Sequence, residues 1–93
     1  MLNRDYCTPG TLLQSTGRGV QLYVFPPGPN LNYDSGVELE TIFDIGDFFI
    51  WLQKDFDAPS YYCFCLHSRT GRILSLSVSQ LEIVDLEEEV RCP

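Results

Sequence analysis

Ninety-three residues with a formal net charge of −7 and a hydrophobic fraction of 44% describe one small acidic domain with a modest core. The hydrophobic fraction excludes an intrinsically disordered chain, because such chains contain too few apolar residues to form a core. The acidic excess argues against direct nucleic-acid binding, since a nucleic-acid-binding protein neutralises phosphates with lysine and arginine.

Short runs of β-branched and aromatic residues between turn signals predict an all-β chain of five to seven short strands, folded as a small antiparallel barrel or a sandwich. The predicted strands, in chain order, are residues 11–15, 20–25, 37–43, 48–53, 61–68, 73–78 and 82–84. No interval between turn signals offers the ten or so residues that a packed helix needs. We predict a single domain over 1–93, with the barrel at about 11–84 and terminal extensions at 1–10 and 85–93.

The segment from Phe25 to Gly36 is a long first loop that contains three prolines and two glycines. Its Pro-Pro-Gly-Pro stretch is stiff and extended, so we expect an ordered loop rather than a flexible linker. Loops of this length in compact domains often carry the function.

Side-chain alternation predicts which face of strand 61–68 meets the core. Tyr62, Phe64 and Leu66 share one face, and Cys63 and Cys65 share the other with the single histidine of the chain. The first set is more apolar, so we expect it to point into the core. In strand 48–53 both faces are apolar, which is typical of a strand that is covered on both sides.

The longest strongly apolar run, from Phe48 to Leu52, has five residues, against the roughly 20 that a membrane helix needs. The N-terminus has no apolar segment behind a basic start, so no secretory signal is predicted. We therefore expect a cytoplasmic protein, not bound to a membrane, whose four cysteines stay reduced.

The order of these signals resembles that of an SH3-like barrel over about four-fifths of the chain. Gly46-Asp47 opens the central strand, as a similar pair does after the diverging turn of SH3 domains. Tyr61-Tyr62 stands where those domains usually carry two tryptophans, and residues 69–72 resemble their distal hairpin. Residues 77–84 are similar to their short 3₁₀ turn and closing strand.

The Pro-Gly-Thr-Leu opening of the first strand is also similar to that of short acidic proteins from tailed bacteriophages. That resemblance implies a location in the host cytoplasm or in the virion.

The SH3 resemblance implies partner-binding residues. Tyr61 takes the first aromatic position of the peptide groove, whereas the remaining groove positions hold Val20 to Tyr23, Ser77 and Gln80. An acidic cluster facing basic partners is implied at Asp34, Glu38 and Glu40.

The same resemblance orients the central strand, with Phe49 and Trp51 pointing inward. Phe48, Ile50 and Leu52 then face outward, where the Pro-rich loop or a partner chain covers them. We favour a partner chain, because the loop is largely polar after its last proline.

The sequence holds few candidates for catalysis. His67 is the single candidate base, and Cys63, Cys65 and His67 repeat at about 6.6 Å along one strand face. Three ligands in such a row do not converge on one zinc ion without a bulge. Phosphate-binding glycine loops, dinucleotide fingerprints and nucleophile elbows are missing. We therefore predict no enzyme activity, no metal site and no cofactor.

The expected function is a non-enzymatic protein-interaction or assembly module, acting on another protein or on a second copy. Its partner-binding residues are predicted to be Asp34, Glu38, Glu40, Asp55, Asp57, Tyr61, Phe48, Ile50 and Leu52. An alternative for the carboxylates is that they only keep the surface hydrated and the protein soluble, without binding a partner. The alternative is an acidic inhibitor that mimics nucleic acid in the groove of a DNA- or RNA-binding enzyme. A mimic would align carboxylates along one face, whereas an assembly module would show an apolar patch with acids at its rim.

Overall fold

The computed structural model describes residues 7–28, 31, 33–54 and 62–84, and over these residues the chain is all-β. The strands are β1 Leu12–Ser15, β2 Gly19–Val24, β3 Val37–Phe43, β4 Phe48–Lys54, β5 Tyr62–His67, β6 Arg72–Ser77 and β7 Leu81–Ile83. Short 3₁₀ turns occupy Tyr33–Ser35 and Val78–Gln80. The all-β prediction is confirmed, with each described strand boundary within one residue of its expected position. This part of the chain has no helix long and apolar enough to cross a membrane.

The strands form two antiparallel sheets. One has five strands in the order β6-β5-β4-β1-β7, and the other is the β2–β3 hairpin. An isolated bridge between Phe25 and Ile73 links the end of β2 to β6. The ladders among the described residues therefore do not close into a barrel, and the hairpin is held across the larger sheet mainly by side chains.

The main core lies between the hairpin and the five-stranded sheet. Phe43 of β3 and Phe49 of β4 are fully buried and meet edge to face, with ring centroids 5.6 Å apart. Trp51 is 2% exposed, so the predicted inward orientation of Phe49 and Trp51 is confirmed. The other buried members are Leu13, Cys63, Cys65, Leu74, Leu76, Val78 and Leu81.

A second, smaller core lies on the opposite face of strands β4 to β6. Phe25, Phe64 and Ile73 are buried there, and the two phenylalanine rings meet at 4.9 Å between centroids. Leu31 of the Pro-rich loop packs against this cluster. The loop therefore covers part of the outer face of the sheet.

The prediction for β5 is wrong about which face meets the main core. Cys63, Cys65 and His67 are fully buried on that side, whereas Phe64 packs against Phe25 in the second cluster. The physical reason is that buried cysteine packs as a small hydrophobic residue. Both faces of the strand are covered, so comparing their hydrophobicity does not identify the larger core.

The close packing of Gly19 against Phe43 generates a stability prediction. The two residues are paired across the hairpin, and a methyl group on Gly19 would overlap the fully buried ring. We expect Gly19→Ala to lower the free energy of unfolding by about 1–3 kcal/mol, the usual cost of overpacking a core. Urea denaturation followed by tryptophan fluorescence measures this change.

Gly17→Ala is the matched control, because a methyl group on Gly17 has no neighbour within 4 Å and its φ is not positive. We expect this variant to change the free energy of unfolding by less than about 0.5 kcal/mol. Equal losses in the two variants would contradict the importance of the contact between Gly19 and the ring.

Candidate interaction surface

The three described acidic candidates are exposed, as a partner-binding surface requires. Asp34 lies in the 3₁₀ turn Tyr33–Ser35, and Glu38 and Glu40 lie on β3. The structure therefore brings these carboxylates to the hairpin and to the turn that leads into β3. Three further candidates lie outside the described residues: Asp55, Asp57 and Tyr61.

The apolar candidates on β4 differ in how far the chain covers them. Phe48 is 43% exposed, Ile50 is half-buried, and Leu52 packs against the second core. Next to Leu52, the side-chain amide of Gln53 donates to the carbonyl oxygen of Leu31 at 2.8 Å. The chain itself therefore covers the Leu52 end of this face.

The largest group of exposed apolar side chains lies on the β2–β3 hairpin rather than on β4. Six of the nine exposed large apolar residues in the described part belong to this hairpin. They are Val20, Leu22, Tyr23, Val37, Leu39 and Ile42. Single exposed apolar residues are normal on a protein surface, whereas a concentration of them on one element makes that element a candidate interaction site.

Three of these side chains lie together: Val20 pairs with Ile42, and Leu22 follows Val20 by alternation along β2. We call these three residues the hairpin face. Val20 lies opposite Ile42, and they are 50% and 53% exposed. Leu22, 56% exposed, follows two residues later on β2. An exposed ion pair between Arg18 and Asp44, 2.9 Å long, continues the strand pairing at one end.

The hairpin face was not predicted from the sequence, although the alternation of apolar and polar residues that forms it is present. Val20 and Leu22 alternate about a polar residue, and Ile42 stands between Thr41 and Phe43. The burial of Thr41 and Phe43 is what assigns Ile42 to the outside. That burial depends on how the hairpin crosses the larger sheet, which local alternation does not specify.

Two arginines, Arg69 in the connection between β5 and β6 and Arg72 at the start of β6, contact one edge of β3. Arg69 Nη2 donates to the carbonyl of Ile42 and Arg72 Nη1 to the carbonyl of Glu40, each at 3.1 Å. Arg72 also donates to the hydroxyl of Thr41 at 3.0 Å. A free strand edge is a template for pairing with another chain. These contacts therefore close this stretch of the edge.

Asp47 is the centre of a polar network between two turns. Its carboxylate accepts hydrogen bonds from His67 Nε2 at 2.9 Å, from Arg69 Nη2 at 2.8 Å and from the Asp44 N–H at 3.1 Å. Burial raises the pKa of Asp47, but the hydrogen bonds and the positive charge of Arg69 outweigh it and lower the pKa from 3.8 to about 2. Asp47 therefore carries its charge at neutral pH.

His67 is fully buried within this network, and its ring stacks on Phe49 with 4.8 Å between centroids. A carboxylate only accepts hydrogen bonds, so Nε2 carries a proton and donates it to Asp47. Nδ1 lies 2.8 Å from the hydroxyl of Thr70. A neutral ring satisfies both contacts, because Nδ1 accepts the hydroxyl proton.

The order hydroxyl, imidazole, carboxylate at Thr70, His67 and Asp47 is that of a hydrolytic triad. Its surroundings favour a structural role, because the imidazole is fully buried and Arg69 already forms an ion pair with Asp47. The Thr70 oxygen also accepts the Arg72 N–H at 3.4 Å. The group therefore joins the turn before β4 to the turn after β5.

Cys63 and Cys65 are fully buried core residues whose Sγ atoms lie 3.6 Å apart. The hydrogen bond with Cys63 and burial raise the pKa of Cys65, and burial, with a smaller effect of Cys63, raises the pKa of Cys7. Metals and electrophiles react with thiolates, so these thiols act as apolar packing. Among the described residues, no group of three or more His, Cys, Asp or Glu side chains is arranged to hold a metal ion.

Comparison with known proteins gives no match, whether with family models, with curated proteins or with solved structures. The function of the chain is therefore inferred from the geometry and charge of its own surface.

The lowered pKa of Asp47 predicts an acid-sensitive contribution to stability. A carboxyl with a pKa of about 2 when folded and about 3.9 when unfolded contributes fully above about pH 4 and loses its contribution as the pH falls toward 2. We expect Asp47→Asn to lower the free energy of unfolding at pH 7 by about 2 kcal/mol. It should also flatten the acid-induced decline in urea denaturations across this pH range.

Asp44→Asn is the matched control from the same turn. Asp44 is also paired with an arginine, but the two side chains are 53% and 76% exposed, and exposed pairs contribute little to stability. This variant should keep the stability and acid dependence of the parent protein. An equal flattening in both variants would show that the Asp47 network is not the source of the acid sensitivity.

Burial of the paired cysteines predicts that they are unreactive in the folded protein. In a Cys7→Ser, Cys92→Ser variant, we expect a thiol-reactive disulfide reagent to modify Cys63 and Cys65 only as fast as the chain unfolds. The rate should therefore rise with urea in parallel with unfolding. Fast modification in native buffer would show that this face of β5 is accessible.

Proposed function

We propose that this chain is a non-enzymatic protein-interaction or assembly module whose β2–β3 hairpin docks on a basic protein. One observation carries this proposal: the three apolar side chains of the hairpin face are each at least half exposed. Exposed carboxylates occur on the same hairpin and next to it: Glu40 stands two residues before Ile42 on β3, Glu38 lies further along β3, and Asp34 lies in the preceding turn. An apolar centre with an acidic rim is the composition of an interface rather than of a solvated surface.

The energetic reason for docking is that the hairpin face keeps apolar area in water. Full burial of a large apolar side chain stabilises by about 1.5–3 kcal/mol, so half-exposed side chains leave part of that free energy for a partner. Val20 and Ile42 are directly opposite each other, which puts their Cβ atoms about 4.5–5.5 Å apart. A partner can therefore bury them together.

Charge favours a basic partner over a second copy of the chain. The net charge is −7, and two hairpin faces packed together would bring Glu40 of both copies, two residues from Ile42, toward one interface. Like charges in an interface oppose association. A basic surface would instead gain from the same carboxylates and would associate faster at low salt.

An SH3-like small barrel is part of the proposal. Two features support it: the tight connection between β5 and β6, and the 3₁₀ turn Val78–Gln80 that leads into β7. The long first loop, which is similar to the acidic first loop of SH3 domains, leads through Asp34 into β3.

An acidic inhibitor of a nucleic-acid-binding enzyme is the competing function. Such an inhibitor needs free carboxylates along an extended face. Here Asp44 is paired with Arg18 and Asp47 with Arg69, and the exposed Glu40 of β3 lies two residues from the exposed Ile42. This surface favours an assembly module over an acidic inhibitor. The following experiment distinguishes the two functions.

Site-specific photocrosslinking in the cells that naturally contain the protein, followed by binding measurements, tests the proposal. A benzophenone side chain replaces either Leu22 on the hairpin face or, as the control position, the exposed Glu82 on β7. We expect the Leu22 position, and not the Glu82 position, to capture a protein with net positive charge. With that protein purified, Ile42→Ser should weaken affinity about tenfold, as removal of a central interface contact does.

The contribution of the acidic rim is measured with the same purified partner. Asp34→Asn combined with Glu38→Gln should slow association and reduce its salt dependence more than it speeds dissociation. Glu82→Gln on β7 is the charge-matched control and should change neither rate. Binding that ignores both salt and Ile42→Ser contradicts the proposal. Binding that needs the carboxylates, ignores Ile42→Ser and is competed by duplex DNA identifies an acidic inhibitor instead.

A further inference from the structure

We infer that the segment docking on the hairpin face is a basic amphipathic α-helix, not an added β-strand. This inference rests on the proposed function and specifies how the partner uses that surface. Three observations support it: backbone contacts already made at the hairpin, the hydrogen bonds that the backbone of a docked segment must keep, and the spacing and charge of the hairpin face.

Backbone groups on β3, and one just beyond the end of β2, are already engaged within the described part of the chain. On β3, the carbonyls of Ile42 and Glu40 accept hydrogen bonds from Arg69 and Arg72. Beyond the end of β2, the Phe25 N–H donates to the carbonyl of a β6 residue at 3.0 Å. A partner strand that paired over these residues would have to displace those contacts first.

A strand laid flat on the hairpin face would meet a different obstacle. Its own N–H and C=O groups would be buried without partners, and each unsatisfied group costs about 1–3 kcal/mol. An α-helix satisfies its backbone internally and presents only side chains. A helix is therefore the regular element that can lie on this face and bury these apolar residues without that penalty.

The spacing and charge of the face fit such a helix. Val20 and Leu22 are two residues apart on β2, which corresponds to about 6.6 Å, and helix positions i and i+4 are about 6 Å apart. Ile42 lies beside Val20 across the hairpin. An apolar stripe at i, i+3, i+4 and i+7 therefore covers the three side chains. Lysine or arginine on the helix flank would meet Glu40, which stands two residues before Ile42 on β3.

Two peptides of identical leucine and lysine composition test the inference. In one, leucine repeats with the helical period, and in the other it alternates with lysine as in a strand. Each is titrated into isotope-labelled protein while backbone amide shifts are followed. We expect the helical peptide to bind at least tenfold more tightly and to shift amides of β2 and β3 around the hairpin face.

Variants connect this binding to the face. Ile42→Ser should weaken binding of the helical peptide about tenfold. Ile83→Ser is the control, because Ile83 is 46% exposed against 53% for Ile42. Ile83 lies on β7 and not on the hairpin face, so this variant should leave binding of the helical peptide unchanged. Arg72→Gln, which uncovers the Glu40 carbonyl, should improve binding of the alternating peptide.

The inference is overturned if the helical peptide does not bind the hairpin face, or if the alternating peptide binds it more tightly. Shifts confined to β7 would overturn it as well. If the captured basic protein binds the hairpin through a strand, the inference fails while the proposed function stands. If that protein does not use the hairpin at all, both fail.

Discussion

The carboxylate of Asp47 is where the turns of this small fold are joined. Asp47 follows Gly46, whose φ of 88° is the left-handed conformation that the turn needs. Its partners His67 and Arg69 come from β5 and the turn after it. The same turn is fixed to β1, because Gly46 N–H donates to the Ser15 carbonyl at 2.9 Å and Ser15 N–H donates to the Asp47 carbonyl at 2.8 Å. Three donors from two turns converge on this one carboxylate, so its position fixes both turns at once. We therefore interpret the network as a device that selects one arrangement of turns.

Arg69 connects this network to the hairpin face. Its Nη2 atom donates both to Asp47 and to the carbonyl of Ile42, and Arg72 holds the neighbouring residues of β3 in a similar way. Ile42 thus contributes its carbonyl to the network and its side chain to the hairpin face. The stability of the turns and the presentation of the face depend on the same guanidinium group. This arrangement leaves an apolar surface available to a partner while it keeps backbone acceptors of β3 away from unrelated strands.

The strand positions could be predicted from the sequence because turn residues and β-branched runs act over a few neighbouring residues. The inward orientation of Phe49 and Trp51 could also be predicted, because the resemblance to SH3 domains includes the adjacent Gly46-Asp47 turn. The face of β5 could not be predicted, because the burial of Cys63 depends on a hairpin that crosses the sheet from far away in the chain. The hairpin face needed the strand pairing itself, including its irregularity between Gln21 and Tyr23. Local alternation does not specify such a shift. The acidic part of the candidate site was accessible from composition, whereas its apolar centre was not.

The location of the remaining apolar surface follows from how many layers the chain builds. Strands β4 to β6 form the middle layer, covered on one face by the hairpin through Phe43 and on the other by Phe25 and Leu31. The hairpin is an outermost layer, and no described segment covers its outward side chains, which remain at least half exposed. Leu52 was expected to need a partner, but it belongs to the middle layer, where the chain covers it. Val20 and Ile42 lie on the outside of the last layer. No described segment buries them, and in the proposed function a basic protein does so, attracted by the acidic residues of the hairpin.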